Sequence, residues 1–386
     1  MIYHVFDEGE QFSEFAGGAI SRWAANVLRQ DDDNTHIVCR GADESWGFSP
    51  SRIHTIPELN TYLKLRARRF YPTWLNGKIL RALYKKRFPV LAAGDLVWVH
   101  GQPDVALALA PWAHKAGAKI AFHLHSSAFI RTPKTTMAKV ARAMDKVVFC
   151  SRFLEIEAKE VFPWLERYTV LYNGASNELF YPAQDNSAHA KDCPTILLAC
   201  RLIPDKGVHI LVEAMRILEQ KGVRAEAKIF GSSGFGGSPT TPYIQNLLDN
   251  APSNVKFPGY CAGMALADEF RKADIFCLPS VFNDPFPLVV LEAMAARLPV
   301  VASRRGGIPE ALFAGGGRLV EYNSPTALAG ALEELILNAD LRAKLADEAY
   351  LSYKQHFTWE IVWREYRKIV AGLVEPAVRE QPAAVL

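Results

Sequence analysis

The sequence predicts an α/β protein of two doubly wound parallel-sheet domains facing a central cleft. Three observations predict it. Short apolar runs alternate with longer helical patterns along nearly all of the 386 residues. Those runs are continuous rather than alternating, as strands buried on both faces are. The pattern pauses once, at Pro182–Pro194, and then restarts. Such a break favours two open sheets over one closed (β/α) barrel.

The first set of candidate strands is Ile2–Phe6, His36–Cys39, Leu96–Val99, Lys119–Leu124, Lys146–Cys150 and Thr169–Leu171. The second set is Thr195–Cys200, Ala227–Phe230, Val255–Phe257, Ile275–Leu278, Val300–Ala302 and Arg318–Val320. The pause carries Asn186, Ser187, Asp192 and two prolines, a linker-like composition. The expected domains are therefore residues 1–180 and 181–357.

Hydrophobic residues make up 49% and charged residues 22%, enough to fill two cores. A net charge of +3 gives no overall electrostatic case for nucleic acid, and none is expected as a partner. Cys39, Cys150, Cys193, Cys200, Cys261 and Cys277 lack metal-ligand spacing and read as free thiols of a reducing compartment. The opening MIYHVFDEGE turns acidic too soon for a signal peptide. No apolar run approaches the roughly 18–20 residues of a membrane span. The expected location is the cytoplasm, at most on a membrane surface.

Open α/β sheets bind ligands beyond the carboxyl ends of their strands, so the chemistry is sought there. Arg201 and Lys206 lie on one loop after the strand Thr195–Cys200. Two such cations suit a diphosphate leaving group, because negative charge grows on it as its bond breaks. A solvated loop with two surface cations would read the same way. After Ile275–Leu278 comes Pro279-Ser280-Val281-Phe282-Asn283-Asp284-Pro285-Phe286-Pro287-Leu288-Val289, then Glu292 in the next helix. Pro287 suits the first helical position. The amides of Leu288 and Val289 would then leave the helix N-terminus as an anion site. Asp284 and Glu292 suit hydroxyls, although Asp284 could also serve only near a helix cap. Gly306-Gly307 and Glu310 follow the strand Val300–Ala302, fitting either a ligand approach or a tight turn.

The ordered set Arg201-x4-Lys206-Gly207, Ala273-Asp274-Ile275, Pro279-Ser280, Asp284-x7-Glu292-Ala293-Met294-Ala295 and Gly306-Gly307-x-Pro-Glu310 resembles family 4 of the retaining glycosyltransferases, which have the GT-B fold. The resemblance runs through most of the second domain and more weakly from the early glycine pair to Phe357-x-Trp359. It implies two Rossmann-like domains, a first one that binds acceptor and a second one that binds a nucleotide-sugar. It also implies that the last helix, within 358–386, returns to the first domain. In that family the Arg/Lys pair contacts the donor diphosphate, the first acid the sugar and the second the ribose. These are the roles implied for Arg201, Lys206, Asp284 and Glu292. The family's first acid is usually Glu, and here it is Asp284. Phe286-Pro287 replaces the commoner Phe-Gly. UDP is the implied nucleotide, with neither metal nor cofactor.

Gly231-Ser232-Ser233-Gly234 and Tyr260 are the candidates for the nucleoside, the first being equally readable as a flexible loop. Gly17 and Gly18 resemble the family's first glycine loop and could equally form a plain strand-to-helix turn. His125, at the end of Lys119–Leu124, matches the family histidine near the donor sugar or acceptor, and a structural hydrogen-bonding role is its competitor. Asn173-Gly174 resembles the interdomain turn.

Leu59–Gly94 has nine Lys or Arg residues and no acid, with Tyr62, Phe70, Tyr71, Trp74, Tyr84 and Phe88 interleaved. Such a stretch suits an anionic membrane surface or an acidic acceptor. A solvated basic face packed on the core is the plainer reading. The expected activity is hexosyl transfer to a glycan or glycolipid, in lipopolysaccharide-core or other surface-polysaccharide biosynthesis. The competitors are a glycan phosphorylase and a catalytically impaired sugar-nucleotide-binding or membrane-docking relative.

Overall fold

The computed structural model describes residues 1–6, 9–13, 18–30, 34–67, 73–126, 132–183, 192–234 and 240–374, without the side chains of Ala67, Thr73 and Trp74. The first sheet contains β1 (Ile2–Val5), β2 (Thr35–Cys39), β3 (Ile53–Thr55), β4 (Leu96–His100), β5 (Lys119–Leu124), β6 (Lys146–Phe149) and β7 (Tyr168–Val170). The second contains β8 (Thr195–Ala199), β9 (Glu226–Phe230), β10 (Val255–Gly259), β11 (Ile275–Leu278), β12 (Val300–Ser303) and β13 (Gly317–Val320). Their orders are β3-β2-β1-β4-β5-β6-β7 and β10-β9-β8-β11-β12-β13. All pairings are parallel. In each sheet the order reverses beside the first strand, which opens a crevice at β1/β4 and at β8/β11.

The helices are α1 (Ala19–Leu28), α2 (Glu58–Ala67), α3 (Thr73–Arg87), α4 (Pro103–Lys115), α5 (Lys134–Ala143), α6 (Arg152–Val161) and α7 (Val208–Gln220). They continue as α8 (Pro242–Asp249), α9 (Gly263–Lys272), α10 (Leu288–Ala295), α11 (Ile308–Ala311), α12 (Pro325–Leu337), α13 (Ala339–His356) and α14 (Trp359–Val374).

Each expected strand is present to within a residue or two. β3 was not expected. It is an edge strand of three residues, two partly buried and one exposed, too short to show a period.

Helix α14 returns to the first domain. Its Trp359, Val362, Tyr366 and Val370 are buried in one cluster with Phe6, Trp23, Trp98 and Leu171. Enclosing an aromatic side chain contributes roughly 2–3 kcal/mol, so this face holds the chain's end firmly. The two passages between domains run side by side: Ala175 bridges Thr358, and Ala175 N–H donates to Phe357 C=O at 3.0 Å. Gly174 lies between them. A Cβ there would come 2.9 Å from the Trp359 ring and 3.0 Å from Phe357 O.

Part of the basic stretch is structural. Tyr62, Tyr84 and Phe88 are buried in the core rather than displayed at an interface. Phe70 and Tyr71 lie outside the described residues. Arg81 donates to Ala108 C=O at 2.7 Å, and Lys86 and Arg87 pair with Glu58, one residue before the stretch. Among the described residues no helix is long and apolar enough to cross a membrane.

Candidate active site

Between the domains lies a cleft of about 630 Å³, the size class of small-ligand sites. Loops after β8, β9, β10 and β11 form one wall, and α1 with the end of β5 forms the other.

The loop after β8 carries Arg201 and Lys206 and turns at Gly207, whose φ is +68°. A Cβ on Gly207 would sit 1.9 Å from Pro279 O, so only glycine lets the loops after β8 and β11 meet. Val281 N–H donates to Asp205 C=O at 2.9 Å and locks them together. Lys206 Nζ thereby reaches Asp284 Oδ2 at 2.5 Å, and Ser280 Oγ donates to the same oxygen at 3.2 Å. Asp284 is buried. Arg201 is exposed on the cleft wall and has no carboxylate partner among the described residues.

Asp284 is held from behind by Gly306 and Gly307. Gly307 N–H donates to Asp284 C=O at 2.8 Å. A Cβ on Gly306, whose φ is +56°, would lie 2.1 Å from that oxygen, and one on Gly307 1.9 Å from Pro285 O. This glycine pair is absent from the cleft lining. Its close approach is to the Asp284 loop.

Pro287, expected at the first helical position, is instead the N-cap of α10, one position before the first helical residue Leu288, with φ −71° and ψ 121°. No side chain caps this end. The Leu288 and Val289 amides therefore stand at the cleft, where Phe286, Pro287, Leu288 and Val289 all contribute lining. That arrangement attracts anions. Glu292 follows on the buried side of the cleft. Burial raises its pKa, and the nearby Arg22 charge opposes the rise. Arg22 Nη1 reaches Glu292 Oε1 at 3.0 Å from α1.

Gly231 lines the cleft with φ +148°, and a Cβ there would sit 1.9 Å from Cys200 O. Tyr260, which is exposed, lines the same cleft. His125 lines the opposite wall. Its Nε2 meets His100 Nδ1 at 2.9 Å, and burial pulls its pKa down to about 3. Asn173 donates from Nδ2 to Phe286 C=O at 3.0 Å, tying the interdomain turn to the α10 entry.

One expectation needs correction. Gly18 does not line the cleft: its N–H donates to Glu10 Oε1 at 2.5 Å, so the amide is engaged internally. Gly17 lies outside the described residues. Of the two readings open for Glu310 the structural one holds: it is an interdomain cap, its carboxylate accepting from the Arg152 and Phe153 amides at 2.7 and 2.5 Å. These amides begin α6, whose N-cap is Ser151.

Sequence reading missed Arg22, Asn26, Arg29 and Trp46, which line the cleft. A signal existed: the three polar residues recur at helical spacing along α1 and its C-cap, Arg29. Among the described residues, His100, His123 and His125 form a group whose ligand atoms lie within 4.8 Å of one another, a spacing a metal ion could bridge.

Two facing parallel-sheet domains, with cations, an uncapped helix end and paired acids in the crevice, define an enzyme of glycosyl transfer. Residues 24–179 match the family model described as Glycosyltransferase Family 4, and residues 182–352 the one described as Glycosyl transferases group 1. The chain belongs to the family 4-like glycosyltransferases of the GT-B fold. It is 27% identical to YtcC of Bacillus subtilis over 288 residues, 69% of this chain and 70% of that protein. It is 26% identical to the GDP-mannose-dependent monoacylated alpha-(1-6)-phosphatidylinositol monomannoside mannosyltransferase of Corynebacterium glutamicum, over 72% of this chain and 76% of the relative. Anabaena HepE, crystallised with UDP-glucose, superposes with a TM-score of 0.73 at 19% identity, covering 97% of this chain and all of that one.

Proposed function

We propose that this glycosyltransferase is metal-independent and retaining, and moves a hexosyl group from a UDP-sugar to a glycan or glycolipid. The observation that carries this reading is the Lys206–Asp284 contact of 2.5 Å beside the uncapped start of α10. Cations and helix amides there match a diphosphate, and the adjoining carboxylate matches sugar hydroxyls.

In this mechanism Arg201, Lys206 and the Leu288 and Val289 amides hold the diphosphate. The bond between sugar C1 and phosphate oxygen breaks, and its electron pair goes to the phosphate. The stationary positive groups stabilise that charge as it forms, which is the work a metal would otherwise do. The acceptor oxygen bonds to C1 on the same face and gives its proton to the departing phosphate oxygen. Asp284 orients the sugar. Glu292 keeps Oε2 for the ribose while Oε1 accepts from Arg22. Gly231 and Tyr260 border the base.

HepE's UDP-glucose supports the UDP donor, and the corynebacterial relative's named acceptor supports a glycolipid. A lipopolysaccharide core or related surface glycan, built at the cytoplasmic face of a membrane, fits both. The exposed Lys78, Lys85, Lys86 and Arg87 support salt-sensitive docking there.

The test is to incubate the protein with UDP- and GDP-sugars, with and without EDTA. UDP release unaffected by EDTA, and a product with the donor's anomeric configuration by NMR, are expected. Release abolished by EDTA removes the metal-free mechanism. Preferential GDP release removes the UDP assignment. Tight binding without turnover, even with membrane extract, would make the chain a sugar-nucleotide-binding relative.

A further inference from the structure

Behind His125 runs a line of hydrogen bonds that the glycosyl-transfer scheme leaves unused. Tyr366 Oη meets His4 Nε2 at 2.8 Å, His4 Nδ1 meets His100 Nε2 at 2.9 Å, and His100 Nδ1 meets His125 Nε2 at 2.9 Å. His4, His100 and Tyr366 are wholly enclosed. Trp23 and Trp98 pack their rings against the line. Burial lowers the pKa of all three histidines, so they are neutral at ordinary pH.

Proton counting limits what the line can do. A neutral imidazole has one N–H and one bare nitrogen, and each bond needs one proton. If Tyr366 donates to His4, then His4 donates to His100 and His100 to His125. His125 is left with its proton on Nδ1, the nitrogen that remains for the cleft. If His125 donates inward instead, every proton reverses, Tyr366 accepts, and Nδ1 is bare. No other assignment satisfies all three bonds. The first is favoured, because a phenol is a stronger acid than a neutral imidazole N–H and imidazole nitrogen is a better acceptor than phenol oxygen.

We propose that Tyr366, His4 and His100 are positioning residues that set the tautomer of His125, so that the last helix makes it present an N–H to the cleft. Granted the reading above, the substrate atom met here is a sugar or phosphate oxygen acting as acceptor, and His125 does not serve as the base.

His123 stands beside the line, its ring centroid 3.9 Å from that of His125. Trp98 Nε1–H donates to His123 Nδ1 at a long 3.4 Å, which puts the His123 proton on Nε2, buried without a partner. A metal held by His100, His123 and His125 would break a bond of His100 and displace that proton. It is therefore the competing outcome.

The test is a long-range proton–nitrogen NMR correlation on protein labelled with 15N-histidine, recorded without substrate, for wild type and Tyr366→Phe. Wild type should carry the His4, His100 and His125 protons on Nδ1. Folded Tyr366→Phe, which loses only the hydroxyl, should show His125 mixed or reversed. A wild-type His125 protonated on Nε2 overturns the proposal even if the variant does not fold. So does an unchanged His125 tautomer in folded Tyr366→Phe. Histidine signals that move on adding zinc or EDTA overturn it in favour of a metal site. Because no substrate is present, these outcomes are independent of the UDP-release assay.

Discussion

Arg22 Nη1 donates to Glu292 Oε1 at 3.0 Å, joining α1 of the first domain to α10 of the second across the cleft. The carboxylate is buried and the guanidinium partly exposed. An exposed ion pair of this kind contributes little, but here one partner is enclosed. The pair's main effect is on the charge state of Glu292, which burial pushes toward the neutral acid.

Arg22→Ala should therefore raise the Glu292 pKa further. A raised folded value means the ionised form is lost at higher pH as acid is added. The acid limb of kcat/KM should move to higher pH than in wild type, with KM for the nucleotide-sugar carrying most of the change. Superimposable limbs would show that Arg22 does not govern this carboxylate.

Asp284→Asn should lower kcat on the order of 10²-fold, since it removes a charge beside the reaction centre. Asp284→Glu restores the residue usual in the family but adds a methylene at a buried position already packed against Lys206 and Ser280. Overpacking costs about 1–3 kcal/mol, so a lower Tm and a lower kcat are expected. Full activity in Asp284→Glu would mean the loop has room for the longer acid.

Gly207→Ala should destabilise the second domain by several kcal/mol. Two penalties act together: a positive φ and a Cβ 1.9 Å from Pro279 O. Urea unfolding measures it, and a loss under about 1 kcal/mol would mean the two loops can separate freely.

Much of this site was legible because its residues follow strands. Arg201, Lys206 and Asp284 could be placed from buried β8 and β11 alone, and the continuous apolar runs gave both sheets. What stayed hidden depends on contacts distant in sequence. Glu310 stayed open between a ligand approach and a tight turn because α6, whose N-terminus it caps, is 158 residues earlier. Tyr62 and Tyr84 read as interfacial because their basic neighbours dominate the local composition, whereas both are buried in the core. The His4–His100–His125 line joins three strands and α14, and no spacing along the chain encodes it.

Glu310→Gln should cost stability without affecting nucleotide binding. The ionised carboxylate accepts two amides at the start of α6, and loss of such a cap costs roughly 0.5–2 kcal/mol. Calorimetry should give a lower Tm with an unchanged UDP dissociation constant. Weakened UDP binding would return Glu310 to the cleft.

The enclosed histidines should make the fold sensitive to mild acid. His4 titrates at about 3 in the fold, chiefly through burial, against about 6.5 when unfolded. A depressed folded value means the unfolded chain alone takes up the proton between these limits. The stabilisation is then complete above pH 6.5 and is lost as pH falls toward 3. At pH 5 this amounts to about 2 kcal/mol for His4. His100, His123 and His125, also lowered by burial, add in the same direction. Urea unfolding from pH 8 to 5 should show a decline that steepens below 6.5, with several protons taken up on unfolding. A flat profile would mean that these imidazoles bind protons in the folded state, and the neutral line from Tyr366 to the cleft would then not exist.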